Sequence, residues 1–132
     1  MDEVHVRVEV EVNPTEDSSK VKQAVESIFG SLELEEKQQR RGSLLTGQVR
    51  GMESLSHFGN LLRRERIRAA ARSVLRKGLK GNTITFFLNK QVAYAGHVSF
   101  CEPVAESPLG PIKVEIRYDD PRKITDFLAP RI

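Results

Sequence analysis

Four arginines recur at every fourth position in residues 63–76, RRERIRAAARSVLR: Arg64, Arg68, Arg72 and Arg76. A guanidinium is planar, permanently charged and forked. Such a row therefore suits one chemistry best, bidentate hydrogen bonding to phosphate oxygens. On one continuous helix the four would advance about 40° per step, a band about 120° wide along about 18 Å. Lys77 and Lys80 extend the same charge. Lys90 and Gln91 fall in an expected turn between strands, a common place for function, and join the candidates as secondary contacts.

Other chemistry fares worse. His97 and Cys101 share a strand face in the expected register, but two donors do not make a metal site. Cys101 as a nucleophile needs an activating base and an electropositive pocket, neither visible, so a small buried thiol is expected. Glu33, Glu35 and Glu36 read as solvated charge on a polar strand, and Gly47, Gly51, Gly78 and Gly81 match no phosphate-loop spacing. No catalytic residue, cofactor, metal or small-molecule substrate is expected, and the chain is not expected to be an enzyme. Aromatic interleaving for base stacking is poor. Phe86, Tyr94 and Phe100 fall at expected core positions, while Phe87 points outward, toward a base or a second subunit.

The elements that must position these residues follow from periodicity. VHVRVEVEV puts Val4, Val6, Val8, Val10 and Val12 on one face of a half-buried strand. Asn13, Pro14 and Glu16 match a helix start, and Val21, Ala24, Val25, Ile28 and Phe29 follow at helical spacing to Gly30. Leu32 and Leu34, then Leu44, Leu45 and Val49, suggest two strands joined at Arg41-Gly42-Ser43. A second helical region carries Leu55, Phe58, Leu61 and Leu62. A five-residue step to Ile67 then breaks the phase, implying a kink or two helices meeting near residue 63. Ile67, Ala70, Ala71, Val74 and Leu75 resume it up to Gly78. Strands are expected through Ile84, Phe86 and Leu88, through Tyr94, Val98 and Phe100, and through Ile112, Val114 and Ile116. A proline-bounded loop is expected across 106–112, and Asp120-Pro121 opens a last helix with Ile124, Phe127 and Leu128 inside. The order β-α-β-β-α-β-β-β-α implies an α+β fold: two layers, a mostly antiparallel sheet with helices on one face.

With 132 residues, 39% apolar and 30% charged, the chain reads as a single α+β domain spanning 1–132. Its net charge of +3 hides an asymmetry: residues 1–62 carry −4, residues 63–80 carry +7, and the remainder balances. Only Glu65 interrupts the basic stretch, so a polyanion is the partner that charge favours. One cysteine excludes an internal disulfide. No apolar run is long enough for a bilayer and the start does not resemble a signal peptide, so a cytoplasmic location without membrane contact is expected.

GNTITFFLNKQVAYAGHVSF, SPLGPIKVEI and LLRRERIRAAAR together resemble an archaeal family known as uncharacterised protein family 0201, over nearly the whole chain and in the same order. Asn89-Lys90-Gln91, Gly96 and Ser99-Phe100 are the most specific part. The resemblance implies a dimeric α+β fold similar to the large-subunit ribosomal protein that binds 5S RNA, and with it an RNA-binding role. It also implies an aspartate just before the alanine-rich turn, where this chain has Ala69. The expectation is a small non-catalytic protein, a homodimer, that binds structured RNA through phosphates. The alternative is a homo-oligomeric protein-interaction module whose basic helix meets an acidic protein surface.

Overall fold

Val4, Val6, Val8, Val10 and Val12 are all at most 4% exposed, and the strand that carries the last four, β1 (His5–Val12), is the third of six across the main sheet. The computed structural model of the chain describes residues 3–102 and 110–130. Around β1 lie α1 (Ser18–Phe29), β2 (Leu34–Gln38), β3 (Ser43–Arg50), a 3-10 turn (Met52–Leu55), α2 (Ser56–Arg64) and α3 (Arg68–Lys77). Then follow β4 (Leu79–Lys80), β5 (Thr83–Asn89), α4 (Lys90–Tyr94), β6 (Phe100–Cys101), β7 (Pro111–Arg117) and α5 (Pro121–Leu128).

All pairings are antiparallel, in the order β2-β3-β1-β7-β5-β4, with β6 on the far end of β5. The fold is α+β, as the alternation implies. Inward residues of β1, β5 and β7 meet Val21, Val25 and Ile28 of α1, Phe58, Leu61 and Leu62 of α2, Ala71 and Leu75 of α3, and Ile124 and Leu128 of α5. A chain of rings runs through this layer, Phe29 to Phe58 to Phe86 to Phe100, with centroids 5.2, 5.6 and 5.8 Å apart. Such pairs add about 0.5–1.5 kcal/mol each beyond area burial. Among the described residues no helix covers the opposite face of the sheet, which is mostly polar.

Three expectations need correction. The first helix starts at Asp17, whose carboxylate accepts from Ser19 N at 2.9 Å, and not at Asn13. Glu16 instead closes a turn by accepting from Asn13 N and Nδ2 at 3.0 and 2.9 Å, which holds it outside the helix. The strand expected through Tyr94 and Val98 is mostly absent. Asn89 Oδ1 accepts from Val92 N at 3.1 Å and starts α4, so the alternating residues belong to a helical turn; only Phe100 and Cys101 pair with β5. In the outer helices, Phe127 is 43% exposed and Ala70 is also exposed, because α5 and α3 each bury a narrower stripe than expected. Residues 106–109 of the expected proline-bounded loop lie outside the described residues.

Candidate nucleic-acid interface

The phase break after Leu62 is a junction of two helices. Ile67 N donates to Leu62 O at 3.2 Å, and Arg66 sits at φ 59, a left-handed conformation unusual for a side chain-bearing residue. Arg64 therefore ends α2 while Arg68, Arg72 and Arg76 ride on α3. The single four-arginine band expected from spacing is a band of three with Arg64 set apart.

Helix α3 packs on α5, burying Ala71 and Leu75. Arg72 faces that contact. Its Nη1 donates to Asp126 Oδ1 at 2.9 Å and to the Ala129 carbonyl at 3.0 Å, and its side chain is only 20% exposed. One of the row expected to meet phosphate, Arg72 instead clamps the C-terminal end of α5, and its buried Nε has no partner among the described residues. Arg76 and Lys77 are exposed and Arg68 is half-buried; none of the three has an ion-pair partner among the described residues. With Ala69, Ser73 and Pro130, these residues and Arg72 line a groove of about 650 Å³. On the other flank, Arg72, Arg76 and Leu79 meet Arg122, Thr125 and Asp126 of α5 around a second hollow of about 540 Å³. Charge counting by segment misses Arg122, because residues 81–132 balance overall and only folding carries α5 to the basic helix. Its one local signal is a cation directly after the helix-opening Pro121.

The lone acid of the basic stretch does not quench it. Glu65 accepts from Val98 N at 3.3 Å and bonds His97 Nδ1. The His97 bond holds the Glu65 carboxyl below its ordinary value, helped by the Val98 amide and the Arg64 charge against the cost of burial. His97, considered as half of a metal pair with Cys101, thus has a carboxylate partner of its own, and the Cys101 thiol is half-buried rather than buried. No group of three or more metal-binding side chains is present among the described residues.

The remaining candidates separate. Lys80 lies on β4 beside Thr83, on the helix-free face of the sheet, away from the α3 groove. Gln91 is exposed on α4. Lys90 is completely buried: its Nζ donates to Glu16 Oε1 at 2.9 Å and to Glu11 O at 2.7 Å, so it cannot meet a ligand while the chain is folded. Tyr94 OH donates to Glu16 Oε2 at 2.8 Å, and burial with that bond pushes its phenol well above the ordinary value. Burial would raise Glu16, but the bonds from Asn13, Lys90 and Tyr94 outweigh it and leave the carboxyl below its ordinary value. Phe87 is half-buried and turned to the helix-free face.

A family model described as RNA binding matches residues 5–118. The chain is 47% identical over 124 residues to a UPF0201 protein of Sulfurisphaera tokodaii, an alignment covering 94% of this chain and 86% of the relative. It is 43% identical over 129 residues to a UPF0201 protein of Pyrobaculum aerophilum, covering 96% and 90%. The crystal structure of a UPF0201 protein from Methanococcus jannaschii superposes with a TM-score of 0.85 at 36% identity, covering 96% of this chain and 99% of that one. A DUF54 protein from Methanothermobacter thermautotrophicus shares the fold alone, at a TM-score of 0.63 and 17% identity over 96% and 99% of the two chains. No helix among the described residues is long and apolar enough to cross a membrane.

Proposed function

From the premise that this chain belongs to the UPF0201 family, whose matching family model is described as RNA binding, we propose that it holds structured RNA by its phosphates along α3 and carries out no chemistry on it. Arg68, Arg76 and Lys77 of α3 and Arg122 of α5 are the contacting cations, and Arg72 sets the two helices at the distance that makes their grooves. The observation that carries this reading is the set of cations without carboxylate partners on both flanks of one helix, with the local acid Glu65 engaged elsewhere. Contacts of this kind fix register and shape rather than base identity.

A fluorescence titration against an RNA hairpin with a paired stem, repeated over a salt series, tests it. Four phosphate contacts give a slope of about 3 in log Kd against log salt. The Arg68→Gln plus Arg76→Gln variant should bind more weakly and lower that slope by about 1.5. A wild-type affinity that ignores salt overturns the proposal. An unchanged affinity in the variant, with a fall in its mass in sedimentation, would instead support a basic helix that pairs with an acidic surface of a second copy.

A further inference from the structure

The sheet has a second basic surface that the α3 reading does not use. On the helix-free face the register aligns Arg50 of β3 with His5 of β1, His5 with Arg117 of β7, Arg117 with Thr83 of β5, and Thr83 with Lys80 of β4. Antiparallel partners share a face, so the five side chains form one row across five strands, about 19 Å long at ordinary strand spacing. Arg50, His5, Arg117 and Lys80 are all exposed, and a cleft of about 270 Å³ opens at the row between Arg50, His5, Arg7, Arg117 and Glu115.

The row contains no acid. Glu3, Glu115 and Asp119 are nearby in chain or register, yet among the described residues none forms an ion pair with it. Glu115 stands opposite Arg7 in the next row, and Arg7 Nη2 is 3.0 Å from Glu9 Oε2, so Glu115 is one carboxylate against the three cations and the imidazole of the row. Three cations and an imidazole thus lie together without an ion-pair partner among the described residues, with Glu115 the one carboxylate lining the cleft beside them. A protein interface core would ordinarily be apolar and depleted in charge, which this row is not.

The two basic surfaces meet at β4. Leu79 pairs with the inward Ile84 and lines the α3–α5 hollow, while the next residue, Lys80, turns to the open face. Lys77 and Lys80 are three residues apart, so their backbones lie within about 11 Å. On the other side, Tyr118 N donates to Asn82 O at 3.0 Å and fixes the end of β7 against the β4–β5 turn.

We propose that Arg50, His5, Arg117 and Lys80 form a second phosphate-contacting surface, and that an RNA held along α3 continues around the short edge strand β4 onto the open face. This rests on the α3 reading and adds to it the path of the ligand. Each phosphate that this row neutralises adds to the salt dependence of binding.

The test pairs two variants of the full chain, Arg50→Gln plus Arg117→Gln and Arg68→Gln plus Arg76→Gln, titrated with the same RNA hairpin over a salt series. Circular dichroism first checks that both fold, which exposed side chains on the open face should permit. The sheet variant is expected to bind about tenfold more weakly and to lose about 1.5 from the salt slope. Loss in the α3 variant with an unchanged sheet variant overturns this inference and leaves the α3 reading standing. If wild type binds no RNA, both fall. A sheet variant that changes mass in sedimentation without changing RNA affinity assigns the row to contact between copies and also overturns it.

Discussion

The side chain of Lys90 is completely buried, and Glu16 Oε1 and the Glu11 carbonyl, 2.9 and 2.7 Å away, help to make its charge tolerable. Removing one member of such a pair leaves a buried carboxylate uncompensated, which typically costs about 3–5 kcal/mol. Lys90→Met should therefore lower the unfolding free energy from urea titration by that much, while RNA affinity measured below the transition stays at the wild-type value. The pH dependence has a definite sign. Glu16 titrates lower folded than unfolded, so its contribution is present above the ordinary carboxylate range and is lost as pH falls through the folded value. Glu16→Gln should flatten that part of the acid unfolding curve, and a wild-type acid slope retained in the variant would assign the transition to other carboxylates. Nothing local distinguishes this lysine from an exposed turn residue. The partner lies 74 positions away, and only the meeting of α4 with the β1–α1 turn turns a candidate contact into part of the core.

Helix α3 is held against the sheet by a close approach at its end. Gly78 N donates to Val74 O, and Thr85 N donates back to Gly78 O, both at 3.0 Å. A Cβ at Gly78 would come within 2.0 Å of the Thr85 carbonyl oxygen, a backbone atom that cannot yield without moving β5. Gly78→Ala should cost about 3 kcal/mol in thermal or urea unfolding, at the upper end of ordinary overpacking. A stability within experimental error of wild type would mean that α3 can lift off β5 freely, and its cations would then have no fixed spacing. Elements with one strong period were legible. The valine alternation of β1, the Ile112-Val114-Ile116 strand and the Asp120-Pro121 opening of α5 stand where patterning puts them, because each pattern is consistent with the burial it receives. The five-residue slip at Leu62 to Ile67 reads correctly as a junction, since no straight helix keeps both stripes inward. Residues 90–100 were not legible as α4. Tyr94, Val98 and Phe100 satisfy a two-residue period, and the competing cap from Asn89 is one hydrogen bond whose value depends on where the chain goes next. The arginine row was legible as charge, but not as a groove, because its second wall is α5.

The arrangement of the molecule puts a helix from residues 68–77 beside one from residues 121–128, so the basic surface has acidic as well as cationic contributions from its second wall. Asp126 is the acidic one. Its carboxylate is 65% exposed and lies 2.9 Å from Arg72 Nη1, directly in the hollow that Arg76 and Arg122 also line. An exposed pair of this sort contributes about 0–1 kcal/mol to folding, and Arg72 keeps its bond to the Ala129 carbonyl without it. For a phosphate-bearing ligand, however, Asp126 is a like charge at the proposed surface and neutralises a guanidinium that would otherwise be available. Asp126→Asn preserves the side-chain shape and removes only the charge. If RNA follows this hollow, the variant should bind several-fold more tightly at low salt, and its salt slope should steepen by about 0.7–0.9 as Arg72 gains a phosphate. A purely structural role for the α3–α5 contact predicts the reverse: a small loss of stability, no gain in affinity and an unchanged slope. A gain of function from deleting one carboxylate is difficult to produce by disrupting the fold, so this measurement separates electrostatic recognition along α3 from a helix that is basic only because it faces water.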